Sequence, residues 1–271
     1  MNSYNLIVCC HSITPSKMVD NISVLEKKFN FKAKGVIVDN SDIVDNNAEL
    51  KNSNFKLIKG SNKYLDFSAY FEGNKNISIS QKKSNNIIFL NDSFFIKHNV
   101  INNFKLVLKH INLLDEISEP VIIGRGSNYH SICHRNPWSK LDIFIPTYCF
   151  ALNNSALHVL NSLEEMLFED GFKGAISAKD FYKNLDSSFY NLMKSSVNSF
   201  NSPYSWKKEN FHASDEILQK KALCIYFEHR LSGEIGKKGC IIPTNAGIKG
   251  ELFFNLNDFL KKIYLTRKWK K

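Results

Sequence analysis

The N-terminal half of the chain alternates short apolar runs with amphipathic stretches. Asn5 to Cys10 reads Asn-Leu-Ile-Val-Cys-Cys, the continuously apolar pattern of a strand buried on both faces. From about Ser16 to Phe29, Val19, Ile22, Leu25 and Phe29 fall on one helical face, with Pro15 at the start. Lys34 to Ser41 is an apolar strand that stops abruptly in Asp39-Asn40-Ser41, so the first forty residues predict a βαβ unit. The same reasoning predicts strands at Phe55 to Ile58, Asn86 to Leu90 and Pro120 to Gly124, and helices over Leu65 to Asn74 and Phe104 to Ile117. Leu141 to Leu152 is mostly extended with Pro146 inside it, and Ser155 to Glu169 reads as a helix. Beyond this the pattern becomes helical: Ala178 to Ser199 is amphipathic, the stretch around Ser202 to Trp206 is irregular, and Asp215 to Glu234 reads as a helix.

This order predicts an α/β fold with a mostly parallel sheet flanked by helices. Residues 1–160 form the α/β domain on this reading. Residues 161–271 form a mostly helical extension packed on the same domain, and no internal repeat is visible.

A chain of 271 residues with 43% hydrophobic residues can bury a substantial core without disulfides or structural metal. Its six cysteines form no Cys-x-x-Cys pair and mostly lie in apolar runs, the pattern of buried reduced thiols in a cytoplasmic protein. The apolar run Leu6 to Cys10 is too short for a secretory signal, and no run reaches the length of a membrane-spanning helix. The net charge of +10 points to an anionic partner. Part of it is concentrated in Lys261 to Lys271, which carries six Lys or Arg with Tyr264 and Trp269 among them. That mixture suits an anionic membrane surface, which puts the protein in the cytoplasm at the inner face of the membrane. A solvated tail is the plainer alternative.

Ligands of open α/β sheets bind outside the carboxyl ends of the strands. Three polar clusters fall at such ends: His11-Ser12, Asp39-Asn40-Ser41 and Asn91-Asp92-Ser93. A carboxylate there can accept hydrogen bonds from a base or ribose, or bind a hard divalent ion such as Mg or Mn that bridges a diphosphate. The alternative for Asp39 or Asp92 is a cap on the following helix or turn.

On these residues the chain resembles a family 2-type glycosyltransferase of the GT-A fold. Leu6 to Ser41 is similar to the opening strand, helix and strand of that family. The resemblance implies that Asp39, with Asn40 and Ser41, contacts the nucleotide. Lys59-Gly60-Ser61-Asn62 to Gly73, including Leu65-Asp66-Phe67-Ser68-Ala69-Tyr70-Phe71-Glu72-Gly73, resembles the segment beneath the nucleotide, so Asp66 joins the binding set with His11 and Asn91. Ile88 to Ser93 falls where the family has its metal-binding Asp-x-Asp motif. Here the motif is Asn91-Asp92-Ser93, with Asp92 as its sole carboxylate and metal ligand. Trp138 to Leu157 and Tyr226-Phe227-Glu228-His229-Arg230-Leu231-Ser232 resemble segments of the rhamnan synthesis protein F group of polysaccharide transferases.

The resemblance implies an enzyme that moves a sugar, with inversion, from a nucleotide-sugar donor to a glycan or lipid-linked glycan acceptor of a bacterial surface polysaccharide or O-antigen. Such a reaction needs a base for the acceptor hydroxyl and cations for the leaving diphosphate. Glu228 is the leading base and Asp142 the second candidate. Arg125, His229 and Arg230 are expected near the phosphates, and Arg135 lies in a polar loop of similar kind. His130 and His134 are spaced for a metal on a helix, but Asn136-Pro137 argues for a loop. Two rival functions are a basic nucleic-acid-binding protein and a nucleotide-binding scaffold without catalysis. Against the first, the lysines are dispersed and no nucleic-acid-binding motif is visible, so no nucleic-acid partner is expected.

Overall fold

A computed structural model of the chain describes residues 1–41, 43, 53–77, 86–98, 100–129, 133–171, 186–198 and 214–245. In chain order the strands are β1 (Asn2–Cys10), β2 (Phe31–Asp39), β3 (Phe55–Lys59), β4 (Ile87–Asn91), β5 (Val121–Gly124), β6 (Ser127–Asn128), β7 (Ile143–Phe144), β8 (Cys149–Leu152) and β9 (Cys240–Pro243). The helices are α1 (Pro15–Phe29), α2 (Asp66–Asn76), α3 (Asp92–Lys97), α4 (Val100–His110), α5 (Leu113–Glu116), α6 (Asn154–Glu169), α7 (Ser187–Asn198) and α8 (Asp215–Lys238). Seven of the strands form one sheet in the order β3-β2-β1-β4-β8-β5-β9, and β6 pairs with β7 beside it.

The sheet is mostly parallel. β1 runs parallel to both β2 and β4, β2 to β3, and β5 to β9, whereas β8 is antiparallel to its two neighbours. Successive strand residues point to opposite faces, and the two cores divide on that alternation. Ile7, Cys9, Phe89, Phe150 and Leu152 face α2, α6, α7 and α8. Leu6, Val8, Cys10, Ile88, Leu90 and Ala151 face α1 and α4, which contribute Met18, Ile22, Leu25, Phe104 and Val107. Strands buried on both faces explain the unbroken apolar runs of β1 and β4.

Local chemistry sets the helix ends. Thr14 caps α1 by accepting from the Lys17 amide at 3.3 Å, Pro15 fills the first turn, and Asn30 ends the helix in the left-handed region at φ 52°. Asn91 and Asn153 cap α3 and α6 in the same way as Thr14, accepting from Phe94 and Ala156. The face between α2 and α8 is aromatic. Phe67 and Phe71 lie 5.4 and 5.5 Å from Phe227, and Phe89 stacks on Phe150 at 4.8 Å with planes 8° apart.

The structure departs from the sequence expectation in several places, among them the short helix α3, for which no helix is expected. The helix expected over Phe104 to Ile117 is two helices, α4 and α5, because the chain turns at Ile111 and Asn112 to drive Leu114 into the core. β8 reverses direction within an otherwise parallel sheet. β9, which is not among the expected strands, returns residues beyond 160 to the edge of that sheet. α8 extends to Lys238, past the expected end at Glu234.

Gly35 shows how tightly β1 and β2 meet. It pairs with Leu6, its φ is +149°, and an added Cβ would lie 2.0 Å from the Leu6 carbonyl oxygen. Gly35→Ala is expected to destabilise the fold by about 3 kcal/mol or more, combining backbone strain with displacement of the β1–β2 pair. Urea denaturation followed by far-UV circular dichroism checks this, and an unchanged midpoint would contradict it.

Candidate functional site

The chain leaves β1 for β2 on one side and returns as β4 on the other. The crevice beyond the carboxyl ends of β1 and β4 is therefore the topological switch point, where ligands of open α/β sheets bind. Its floor is built around Asp92, which is 4% exposed. One carboxylate oxygen, Oδ2, accepts from the backbone N–H of His11 at 2.7 Å, of Ser12 in a very short contact, and of Ile13 at 3.2 Å. A buried carboxylate is tolerable only when its charge is met by donors. Here consecutive amides converge on it as in an anion-binding nest.

The opposite wall is the start of α2. Cys9 and Asn91 are register partners on β1 and β4, and their side chains share the face that looks toward α2 and α8. The Asn91 side-chain amide donates to Asp66 Oδ2 at 2.8 Å. His11 Nε2 stands 3.7 Å from the other oxygen, Oδ1. Asn40, buried at the end of β2, donates to the Leu65 carbonyl at 3.1 Å and reaches Cys9 Sγ at 3.8 Å. It is wedged against Gly60, where a Cβ would fall 1.9 Å from Asn40 Oδ1. Leu65, just before Asp66, adopts φ 54° and ψ −126°, a sparsely populated conformation of the kind that functional sites retain.

α8 closes the crevice. Lys221, Cys224 and Glu228 follow one another at helical spacing, so they share one face of α8. Glu228 Oε2 accepts from the Thr147 backbone N–H at 2.8 Å and from its hydroxyl at 3.0 Å. The Thr147 carbonyl in turn accepts from the Tyr70 hydroxyl of α2 at 2.5 Å. Burial raises the Glu228 carboxyl above the usual glutamate range, although the Thr147 donors and the Lys221 ammonium oppose the shift. Burial lowers Lys221, yet the neighbouring Cys224, Asp66 and Glu228 more than offset this and hold the ammonium above its ordinary value. Burial also pushes the Cys224 thiol up to about 12.

The expected residues are therefore divided. His11, Asp66, Asn91, Asn40, Glu228 and Asp92 gather around the crevice, with Asp92 beneath the loop as its anchor. Asp39 stands one strand away and points to the opposite sheet face from Cys9. It accepts from the Ser41 amide at 2.9 Å and hydroxyl at 2.6 Å, and pairs with Lys59 at 3.3 Å. Ser41, 1% exposed, serves that turn. Arg125 occupies the turn after β5, on the same sheet edge but beyond β8. Asp142 is exposed ahead of β7.

His229 and Arg230 are structural, which corrects the expectation that they meet phosphate. The His229 ring contacts the Tyr129 hydroxyl at 2.8 Å and packs against Phe144 and Phe189. Arg230 is 7% exposed, paired with Asp170 at 3.1 Å and Glu234 at 2.8 Å, and lies over the Trp138 ring. They turn away from Glu228 because adjacent residues of a helix lie about 100° apart. Among the described residues, His134 and Arg135 join no metal cluster, and His130 lies outside them. Reading single residues missed Cys9, Thr147 and Lys221. Strand parity would have flagged Cys9, and the i, i+3, i+7 spacing would have flagged Lys221.

Compared with protein-family profiles, curated proteins and solved structures, the chain matches none. Among the described residues, no helix is long and apolar enough to cross a membrane. The basic segment Phe259 to Lys271 lies outside the described residues.

Asp92→Ala is expected to cost about 2–4 kcal/mol of stability, since it strands buried backbone donors and removes charge-assisted bonds. Asp92→Asn, which keeps an acceptor oxygen, should cost roughly half as much. Equilibrium denaturation of both variants measures this. Equal stability of wild type and Asp92→Ala would remove the anchor role.

Proposed function

We propose that the chain is a glycosyltransferase with a GT-A-like nucleotide-binding domain, moving a sugar from a nucleotide-sugar donor to a glycan acceptor. The observation that carries the reading is the placement of Glu228. It is a partly buried carboxylate, raised by its surroundings and held by Thr147 over the switch-point crevice of an α/β sheet. Sugar transfer needs such a group beside a nucleotide site.

In the proposed reaction Glu228 takes the proton of the acceptor hydroxyl as its oxygen attacks the anomeric carbon. The bond from that carbon to the diphosphate oxygen breaks, and the nucleoside diphosphate leaves with the electron pair. Lys221, in the electrostatic neighbourhood of Asp66 and Glu228, is the cation available to offset the charge that develops. Asp39, at the end of β2, is the proposed contact for the nucleoside, with Ser41 buried in the turn that holds its carboxylate. A lipid-linked acceptor and a peripheral membrane contact through the basic C-terminal segment belong to the same proposal.

A Mg or Mn ion held in the Asn91-Asp92-Ser93 cluster does not fit the residues. Asp92 Oδ2 is filled by backbone donors, and the Asn91 side chain bonds Asp66, Ser93 and the Phe94 amide. No step is assigned to such an ion.

The first test is a calorimetric binding screen of UDP-, GDP- and dTDP-sugars, with and without Mn2+. One nucleotide class is expected to bind and to be turned over with release of its diphosphate. Binding by none of them, with the protein folded, overturns the reading, and binding without turnover favours a non-catalytic scaffold. Asp39→Ala should weaken nucleotide binding by about 1.5–3 kcal/mol, beyond the loss of stability expected from freeing the buried Ser41 donors, which thermal denaturation of the same variant measures.

Glu228→Gln is expected to keep donor affinity and lose about 10²–10⁴-fold in kcat. The general base works ionised, and its folded pKa is raised, so activity rises with pH through a value above that of a free glutamate. The Thr147 hydroxyl stabilises the ionised form, so Thr147→Val should move this acid limb to higher pH. A pH–rate profile in which the limb stays put would remove Thr147 from that role.

A further inference from the structure

We propose that Cys9, His11 and Asp66 form a binding site for a borderline divalent cation of the zinc or cobalt type. The ligand atoms of the three side chains all lie within 4.8 Å of one another. Thiol sulfur, imidazole nitrogen and carboxylate oxygen together are the donor set of zinc and cobalt, whereas magnesium and calcium take oxygen alone. The site is therefore chemically distinct from a hard-ion site at Asp92, which its own hydrogen bonds disfavour.

The spacing supports a shared ion. His11 Nε2 is buried and has no hydrogen-bond partner among the described residues. At 3.7 Å, Asp66 Oδ1 is too far for a hydrogen bond. Two ligands bound to one tetrahedral ion at about 2.0–2.2 Å stand about 3.3–3.6 Å apart, so this pair already has nearly the required separation. The widest pair of the triad needs less than about 1.5 Å of closure to reach it.

The ligands are also oriented from behind. Asn91 holds Asp66 Oδ2 at 2.8 Å, which leaves Oδ1 toward His11. The Asn40 amide points at Cys9 Sγ from 3.8 Å. The backbone of His11 is fixed by Asp92, Cys9 lies in β1 between β2 and β4, and Asp66 opens α2. Outer contacts of this kind set the geometry of metal ligands. Three protein ligands leave a coordination position for water or a further ligand. The competing arrangement keeps Cys9 as a neutral thiol donating to Asp66, with Lys221 and the Asn91 amide meeting the carboxylate's charge and no ion bound.

The test reads the ion directly and uses no sugar nucleotide, so it is independent of the transferase reading. The full chain, purified reduced and metal-free, is titrated with Co2+ and followed by absorption. The expected result is a single equivalent of Co2+ with a thiolate-to-cobalt charge-transfer band and the strong visible bands of a four-coordinate ion. Zn2+ should displace it and Mg2+ should not. Cys9→Ser should abolish the charge-transfer band. His11→Gln, at a partly exposed loop position, should weaken binding by at least about 100-fold, the upper end for loss of an outer contact alone, with an unchanged circular dichroism spectrum. Asp66→Asn serves as a second ligand variant should Cys9→Ser not fold. Cys224→Ser and Cys240→Ser should keep the band. Absence of a band in the wild type, its survival in Cys9→Ser, or its loss in Cys224→Ser would overturn the site.

Discussion

A buried carboxylate at the junction of two strands must have its charge met where it stands, and the architecture of this crevice follows from how that is done for Asp92. Three consecutive backbone amides, of His11, Ser12 and Ile13, converge on one of its oxygens. The bond network ties the end of β4 to the loop leaving β1 across the switch point of the sheet. It sets the direction in which His11 projects, and with it the opening between α2 and the strand ends. Because the donors belong to the backbone, residue identity matters at Asp92 far more than at the positions it holds.

The second constraint is the aromatic contact between α2 and α8. Phe67 and Phe71 pack on Phe227, which seats α8 across the face of the sheet. The next residue, Glu228, then meets Thr147, whose carbonyl is held by Tyr70 of α2. One helix thus contributes Asp66 at its first position and Tyr70 a turn later, and both bear on the same crevice. Packing and polar geometry are coupled here: a change in the aromatic layer would shift Glu228 relative to Asp66.

Charge is distributed by the same logic. The chain as a whole carries +10, yet the crevice sets the ammonium of Lys221 in the electrostatic neighbourhood of the carboxylates Asp66 and Glu228. A nucleic-acid backbone would call for a uniformly basic surface, which this mixed crevice is not.

The alternating apolar runs determined the α/β class and located most strands and helices, because a strand buried on both faces and an amphipathic helix have distinct periods. Polar residues at the ends of those runs marked His11, Asp39 and Asn91, since a polar cluster directly after a buried strand must lie at a sheet edge. The strand order was not legible. Pairing joins segments distant in sequence, so the reversal of β8 and the return of β9 left no local trace. The division of roles was equally tertiary. Asp92 reads as a ligand until the fold brings three amides to it, and Arg230 reads as a phosphate contact until Asp170 and Glu234 enclose it. Cys9, Thr147 and Lys221 acquire neighbours with shared chemistry only after the chain has crossed the sheet. Local sequence decides which elements form, because periodicity acts over a few residues. What each polar side chain does is decided by which distant group supplies its missing donor or acceptor, and that is a property of the packed structure alone.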